Sequence, residues 1–178
     1  MKKINVFRIV RDHFGTLRDY QTGKLSVSDL IVFMLCPLIA AFACVYKSVS
    51  FDKDALIAVL TAFSIFAGLL FSLLLLVFTL TDKTEPQSML YSVRRQLIGE
   101  LYENISFAIL VSMAIVTLAI GAATFRHPAP VDTGTGWLAT FLLVLFMSNF
   151  ILTILMILKR MHALLTLALK EQPAKKRA

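Results

Sequence analysis

Residues 55–80 read ALIAVLTAFSIFAGLLFSLLLLVFTL, a run of 26 residues that contains no Asp, Glu, Lys or Arg. The hydrocarbon core of a bilayer is roughly 30 Å thick, and about 20 apolar residues of α-helix are needed to cross it. The stretch is long enough and apolar enough for this. It predicts a transmembrane helix.

Three more apolar runs accompany it. We predict spans at about 28–46, 55–80, 105–125 and 137–158, the first capped near Ser28 and Asp29. The composition agrees, since 58% of the residues are hydrophobic and only 16% are charged, against about a quarter in soluble domains. The predicted fold class is all-α, a polytopic membrane protein built as a four-transmembrane-helix bundle.

The basic residues predict the orientation. Fifteen of the 18 Lys and Arg fall in residues 1–27, in the loop 81–104 or after residue 158, whereas the other two loops hold only Lys47, Lys53 and Arg126. By the positive-inside rule, both termini and the 81–104 loop are cytoplasmic in a multi-pass membrane protein. We expect no cleaved signal peptide. Topology and contact with membrane lipids account for the net charge of +7, so no direct nucleic-acid binding is expected.

The segments outside the spans also have a helical pattern. Apolar residues recur every three or four positions at Ile4, Phe7, Val10, Phe14 and Leu17. This predicts an N-terminal amphipathic helix in the cytoplasmic segment 1–27, either lying in the headgroups or docking a cytosolic partner. Similar patterns predict cytoplasmic helix extensions before the third span and after the fourth. The transmembrane domain would cover 28–169, followed by a basic cytoplasmic tail, 170–178.

Small and polar residues inside the spans are candidates for helix packing. Thr61, Ser64, Gly68 and Ser72 form one narrow stripe, which predicts close approach of another helix and a homo-oligomer. Asn104 and Ser112 lie on one face of the third span, and Asn149 and Thr153 on one face of the fourth. Asn149 would either hydrogen-bond between helices or contribute to a polar ring that lines a pore.

The chain shows no pattern typical of an enzyme. Its three histidines are scattered, with no second ligand at metal-binding spacing, and no phosphate loop or catalytic triad can be assembled. We therefore expect no catalytic residues, no metal and no cofactor. The residues that we expect to contact a partner protein are the charged cytoplasmic side chains Arg94, Arg95, Glu100 and Glu103.

A family resemblance covers the central half of the chain. The runs FSIFAGLLF at residues 63–71 and LYENISFAIL at residues 101–110 resemble small four-span proteins of bacterial anti-phage defence systems. The membrane subunit of the Kiwa system is similar in size and span count, and the membrane protein of the phage lambda exclusion system is similar in layout.

The resemblance implies a location in the bacterial inner (plasma) membrane, and two mechanisms follow from it. The first is an oligomeric membrane sensor and anchor that recruits or controls a cytosolic effector. The second is a pore-forming effector that depolarises the membrane. A scaffold subunit of an unrelated membrane complex is a further alternative. The cytoplasmic helical surfaces and the lack of charged residues inside the spans favour the sensor and anchor.

Overall fold

The described part of the chain is entirely helical apart from short turns. A computed structural model describes residues 6–16, 27–82, 91–125 and 134–175. It contains five helices: α1 (Val6–Gly15), α2 (Val27–Tyr46), α3 (Lys53–Asp82), α4 (Tyr91–Phe125) and α5 (Gly134–Lys175). The predicted all-α class is confirmed for these residues.

Three of these helices are long and apolar enough to cross a membrane. The candidate spans are Lys53–Thr79 in α3, Ser92–Thr124 in α4 and Gly136–Thr166 in α5, which indicates a membrane protein. The apolar part of α2, Ile31–Tyr46, is shorter, so a span there stays a prediction. Much of the predicted loop 81–104 is helical, because α4 begins at Tyr91.

The long helices form an open arrangement with α5 between two neighbours. Helix α5 packs against α4 on one side and α2 on the other, while α3 and α1 both pack against α4. Within the described residues, the backbones of α2 and α4 do not approach each other. A groove therefore runs between α2 and α4, with α5 as its floor.

The α3–α4–α5 packing follows a seven-residue repeat. Helix α3 buries Leu56, Phe63, Leu70 and Val77, each seven residues after the last. On α4 one row of buried positions alternates at intervals of three and four: Ile98, Leu101, Ile105, Ala108, Ser112, Ile115 and Ala119. A second buried row, Asn104, Phe107 and Val111, lies beside it. A repeat of this kind keeps one seam of a helix facing its neighbour and is typical of bundles with shallow crossing angles. The remaining faces of α3 and α5 expose large apolar side chains, as expected where lipid surrounds the helices.

The connection from α2 to α3 is closed by backbone hydrogen bonds at the α2 end and by a side-chain cap at the α3 end. Val49 N donates to Cys44 O (2.9 Å) and Ser48 N donates to Val45 O (2.9 Å), the two bonds of a Schellman motif. Ser48 has a φ of 51°, the left-handed conformation that this motif requires. Asp52 then caps α3, since its Oδ1 accepts a hydrogen bond from Ala55 N (2.8 Å).

The seam of α3 gives a direct test of this packing. The ring of Phe63 is buried, with its centroid 5.0 Å from that of Phe150 on α5. Lipid is as apolar as the seam, so Phe63→Ala should lose mainly packing, and we expect about 1–3 kcal/mol of destabilisation in mixed-micelle unfolding. Phe78→Ala is the control, because that side chain is 69% exposed. An equal loss of unfolding free energy in Phe63→Ala and Phe78→Ala would contradict the packing of Phe63 against α5.

Candidate functional site

Helix α1 is fixed to the bundle by a fully buried histidine. His13 is 0% exposed, and its ring stacks on Phe107 of α4 with centroids 3.8 Å apart and planes 5° apart. The rings of Phe14 and of Phe33 on α2 lie 5.5 and 5.1 Å from it. One side chain of α1 thus contacts both α4 and α2.

Asn104 of α4 lies within hydrogen-bonding distance of this histidine and of Thr16. His13 Nδ1 lies 2.7 Å from Asn104 Oδ1, and it must be the donor because an amide oxygen carries no hydrogen. The Thr16 hydroxyl lies 3.1 Å from the same oxygen and 2.7 Å from His13 O. Asn104 Nδ2 donates to Glu100 O (2.8 Å). Asn104 is itself 0% exposed, so α1 supplies partners for an amide oxygen that would otherwise be buried and unpaired.

Arg160 of α5 completes the site. Its guanidinium donates to Thr16 O at 2.8 Å and to Glu100 O at 3.1 Å. Its Nε also lies 3.3 Å from Glu100 Oε2 in an ion pair whose side chains are 12% and 25% exposed. Together, His13, Thr16, Glu100, Asn104 and Arg160 form what we term the docking cluster. It joins the C-terminal end of α1 to α4 and α5.

The docking cluster holds its histidine in the neutral form. Burial, reinforced by the positive charge of Arg160 and opposed by the hydrogen bond with Asn104, lowers the pKa of His13 to about 4. With Nδ1 acting as donor, Nε2 is a bare acceptor, and it has no hydrogen-bond partner among the described residues. Protonation would place a second positive charge near Arg160, so the docked arrangement favours the uncharged ring.

A groove of about 670 Å³ opens beside the docking cluster. Its walls come from α2 and α4 and its floor from α5, and Val6, Val10 and Phe14 of α1 close one end. The lining is apolar apart from Thr117 and Asn149. Asn149 Oδ1 is buried and has no hydrogen-bond partner within the described residues.

Two of the residues singled out from sequence belong to the docking cluster: Glu100, which we expected to contact a partner protein, and Asn104. Glu100 pairs with Arg160, and its Oε1 also accepts a hydrogen bond from Gln96 (3.1 Å). Asn104, predicted to serve packing between helices or a pore, bonds to α1. Glu103 is half-buried one turn along from Glu100, whereas Arg95 is exposed on α4 and Arg94 is half-buried.

The other predicted polar positions are placed separately. Ser112 and Thr153 are fully buried, and their hydroxyls donate to Ile109 O and Asn149 O within their own helices. The α3 stripe is exposed along its whole length, and no described helix of the same chain packs against it: Thr61, Ser64, Gly68 and Ser72. A packing role for this stripe therefore stays a prediction about contacts between chains.

Sequence reasoning missed three members of the docking cluster. His13 had no second ligand at a useful spacing, Thr16 belonged to no pattern, and Arg160 was counted among the basic residues that set topology. The apolar residues around His13 were visible in sequence, namely Val10 and Phe14. They now pack against the hydrophobic core. Ile4 and Leu17 of the same predicted stripe lie outside the described residues.

Comparisons with family models, with curated proteins and with solved structures find no match to this chain.

Removing the charge of Arg160 should loosen α1. Arg160→Gln would leave Thr16 O and Glu100 O without their charged donor, and we expect α1 docking to weaken by about 1–3 kcal/mol. Faster hydrogen exchange of the amides in residues 6–16 would report this. Lys159→Gln, at the exposed neighbouring position, is the matched control. Unchanged protection in Arg160→Gln would mean that Arg160 does not hold α1.

Acid should also weaken the docking of α1. A detached His13 would titrate near 6.5, and the docked one titrates at about 4, so between these values the detached state binds more protons. Docking is fully favourable above pH 6.5 and weakens as the pH falls, by about 2 kcal/mol at pH 5. Hydrogen exchange of residues 6–16, corrected for the intrinsic pH effect, measures this.

The control for the pH experiment is His13→Gln, which can still donate to Asn104 but does not titrate. His13→Gln should remove the pH dependence of α1 docking. The exposed His162 is present in both proteins, so it does not affect the comparison. Burial and the neighbouring carboxylates of Asp12 and Glu100 raise the pKa of Glu103, so the comparison with His13→Gln also separates the response of His13 from that of this acidic group. An equal pH response in wild type and His13→Gln would assign the effect to these carboxylates.

Proposed function

We propose that this protein is a four-span sensor and anchor of the bacterial inner membrane that recruits or controls a cytosolic effector in an anti-phage defence system. The observation that carries the proposal is the docking cluster. It attaches α1, a short helix with a strongly exposed outer face, to α4 and α5 through a few polar contacts. Because these contacts are few, α1 can detach while α4 and α5 stay packed against each other.

The charge distribution supports a cytoplasmic position for α1. The basic residues predict that residues 1–27 and the start of α4 lie on the cytoplasmic side, and the docking cluster joins these segments to the α5 end that bears Arg160. Helix α2 has 20 residues, enough for a fourth crossing by the rise of 1.5 Å per residue. The cluster would then lie at headgroup depth.

The outer face of α1 suits a protein partner. Phe7 is 83% exposed, and Arg8 and Arg11 are exposed beside it. Asp12 pairs with Arg8 (3.3 Å) and with Arg11 (3.8 Å), but exposed pairs of this kind are weak and leave the face net positive. An aromatic side chain flanked by arginines is typical of binding hot spots. We expect an effector with an acidic contact surface.

The membrane-embedded part supports sensing more than conduction. The groove that contains Asn149 is lined almost entirely by apolar side chains, which favours contact with lipid over a path for ions. The exposed stripe on α3 offers a surface for a second copy, since small residues let helices approach closely. In the proposed homo-oligomer, several α1 helices would be displayed together.

The proposal is tested by phage infection of the native host with the gene deleted. Plaque numbers should rise for some phages, and wild type or Lys159→Gln should restore protection. Arg160→Gln should not, because α1 would be detached from the bundle. If deletion changes the plating of no phage in a diverse panel, the defence role is wrong.

A second experiment separates the anchor from the pore. The tagged protein and its Arg95→Glu and Arg11→Glu variants would be purified in mild detergent, with the attached proteins identified by mass spectrometry. The anchor predicts a stoichiometric soluble partner that wild type retains and both charge reversals lose. A homo-oligomer without a soluble partner, together with membrane depolarisation during infection, would instead favour the pore-forming effector.

A further inference from the structure

The groove between α2 and α4 has the depth of one lipid leaflet. On α4 its lining extends from Phe107 to Thr117, ten residues that rise about 15 Å along the helix axis. This is half of the roughly 30 Å hydrocarbon core. The groove begins one turn from Asn104 of the docking cluster, so it would run from the headgroup region toward the middle of the bilayer.

The lining has the chemistry of a hydrocarbon site. Two methionines at the groove, Met34 and Met113, are 52% and 58% exposed, so they lie open toward the surrounding lipid. Pro37 and Phe146 contribute to the lining, and Pro37 is fully buried. Flexible, polarisable methionine side chains adapt to chains of irregular shape. The volume of about 670 Å³ falls within the usual range for sites that bind small molecules.

The end of the groove closed by α1 suits a phosphate headgroup. Val6, Val10 and Phe14 face the groove, and Arg11, one turn before Phe14, is exposed at the edge of that face, whereas Arg8 is on the outer face. Basic side chains at headgroup depth attract anionic lipid. A phospholipid could therefore place a chain in the groove and its phosphate beside α1.

From this geometry we infer that the groove binds one acyl chain of a phospholipid from the leaflet in which α1 is docked. The bound chain contacts α1, α2, α4 and α5 at once. It therefore fills the space that separates α2 from α4 and supports the apolar side of α1. This inference rests on the membrane placement in the proposed function but does not depend on the effector or on phage defence.

Asn149 distinguishes an acyl chain from other occupants. Its Oδ1 is buried without a hydrogen-bond partner among the described residues, and a hydrocarbon chain has no donor to offer. This oxygen is already inaccessible before a chain binds, so replacing the amide by an apolar side chain of similar size removes the cost of an unpaired polar group with and without a bound chain. Asn149→Leu should therefore bind the chain as well as wild type, whereas an occupant that hydrogen-bonds to the amide would bind less well.

The test uses the full-length protein in liposomes that contain a phospholipid with a photoreactive diazirine in its acyl chain. After illumination, labelled residues are mapped by mass spectrometry. Wild type should be labelled at the buried groove residues Phe107 and Val111 as well as on outward faces such as Leu155, whereas the exposed Met34 and Met113 would be reached by bulk lipid in any case. Ala114→Phe, which fills the groove, should lose groove labelling and keep the outward labelling.

The matched control is Ala123→Phe, because Ala123 is exposed on the same helix and does not line the groove. It should keep the wild-type pattern, and Asn149→Leu should keep groove labelling. Labelling of wild type only on outward faces would overturn the site but leave the membrane placement intact. Loss of groove labelling in Asn149→Leu would also overturn it, in favour of an occupant that donates a hydrogen bond.

One further outcome is also decisive. No labelling anywhere on wild type would contradict both the site and the membrane placement of the proposed function. The labelling pattern of wild type does not depend on the folding of any variant. It therefore tests the site even if Ala114→Phe is unstable.

Discussion

The pairing of buried polar groups at the end of α1 is the constraint on which the rest of the arrangement depends. Asn104 is fully buried on α4 beside Leu101, Ile105 and Ala108, and an unpaired amide there would cost about 1–3 kcal/mol. His13 and Thr16 supply its partners, and Arg160 binds the backbone carbonyls of Thr16 and Glu100. Helix α1 therefore has a specific docking site, and its position sets how one end of the groove is closed.

The sequence predicted the helices well and their arrangement poorly, for a physical reason. Three long apolar runs predicted helices that could cross a membrane, because bilayer thickness sets the length of such segments. A helix that is apolar on every side does not reveal which face packs. The seven-residue seam through Leu56, Phe63 and Leu70 is therefore hidden among equally apolar neighbours. The stripe from Thr61 to Ser72 was more visible in sequence, yet it is exposed.

The docking cluster could not have been predicted from local patterns. His13 and Asn104 are separated by 91 positions, and Thr16 and Arg160 by 144, so no motif connects them. Asn104 was recognisable as a polar residue near the start of a span and Glu100 as its neighbour one turn earlier. Their use in holding a helix from the same chain follows only from the tertiary contacts. The same contacts, with α2 and α4 held apart by α5, create the groove, which no sequence period could have shown.

The distance between α1 and α5 tests the central claim, that α1 is docked on the bundle. Spin labels at Arg11→Cys and Lys159→Cys, both exposed positions, would be introduced after the native Cys36 and Cys44 are replaced by Ala. Pulsed electron paramagnetic resonance in lipid bilayers at neutral pH should give one narrow distance distribution, broadened by an added Asn104→Leu substitution. A broad distribution that Asn104→Leu leaves unchanged would show that α1 is not held by the docking cluster.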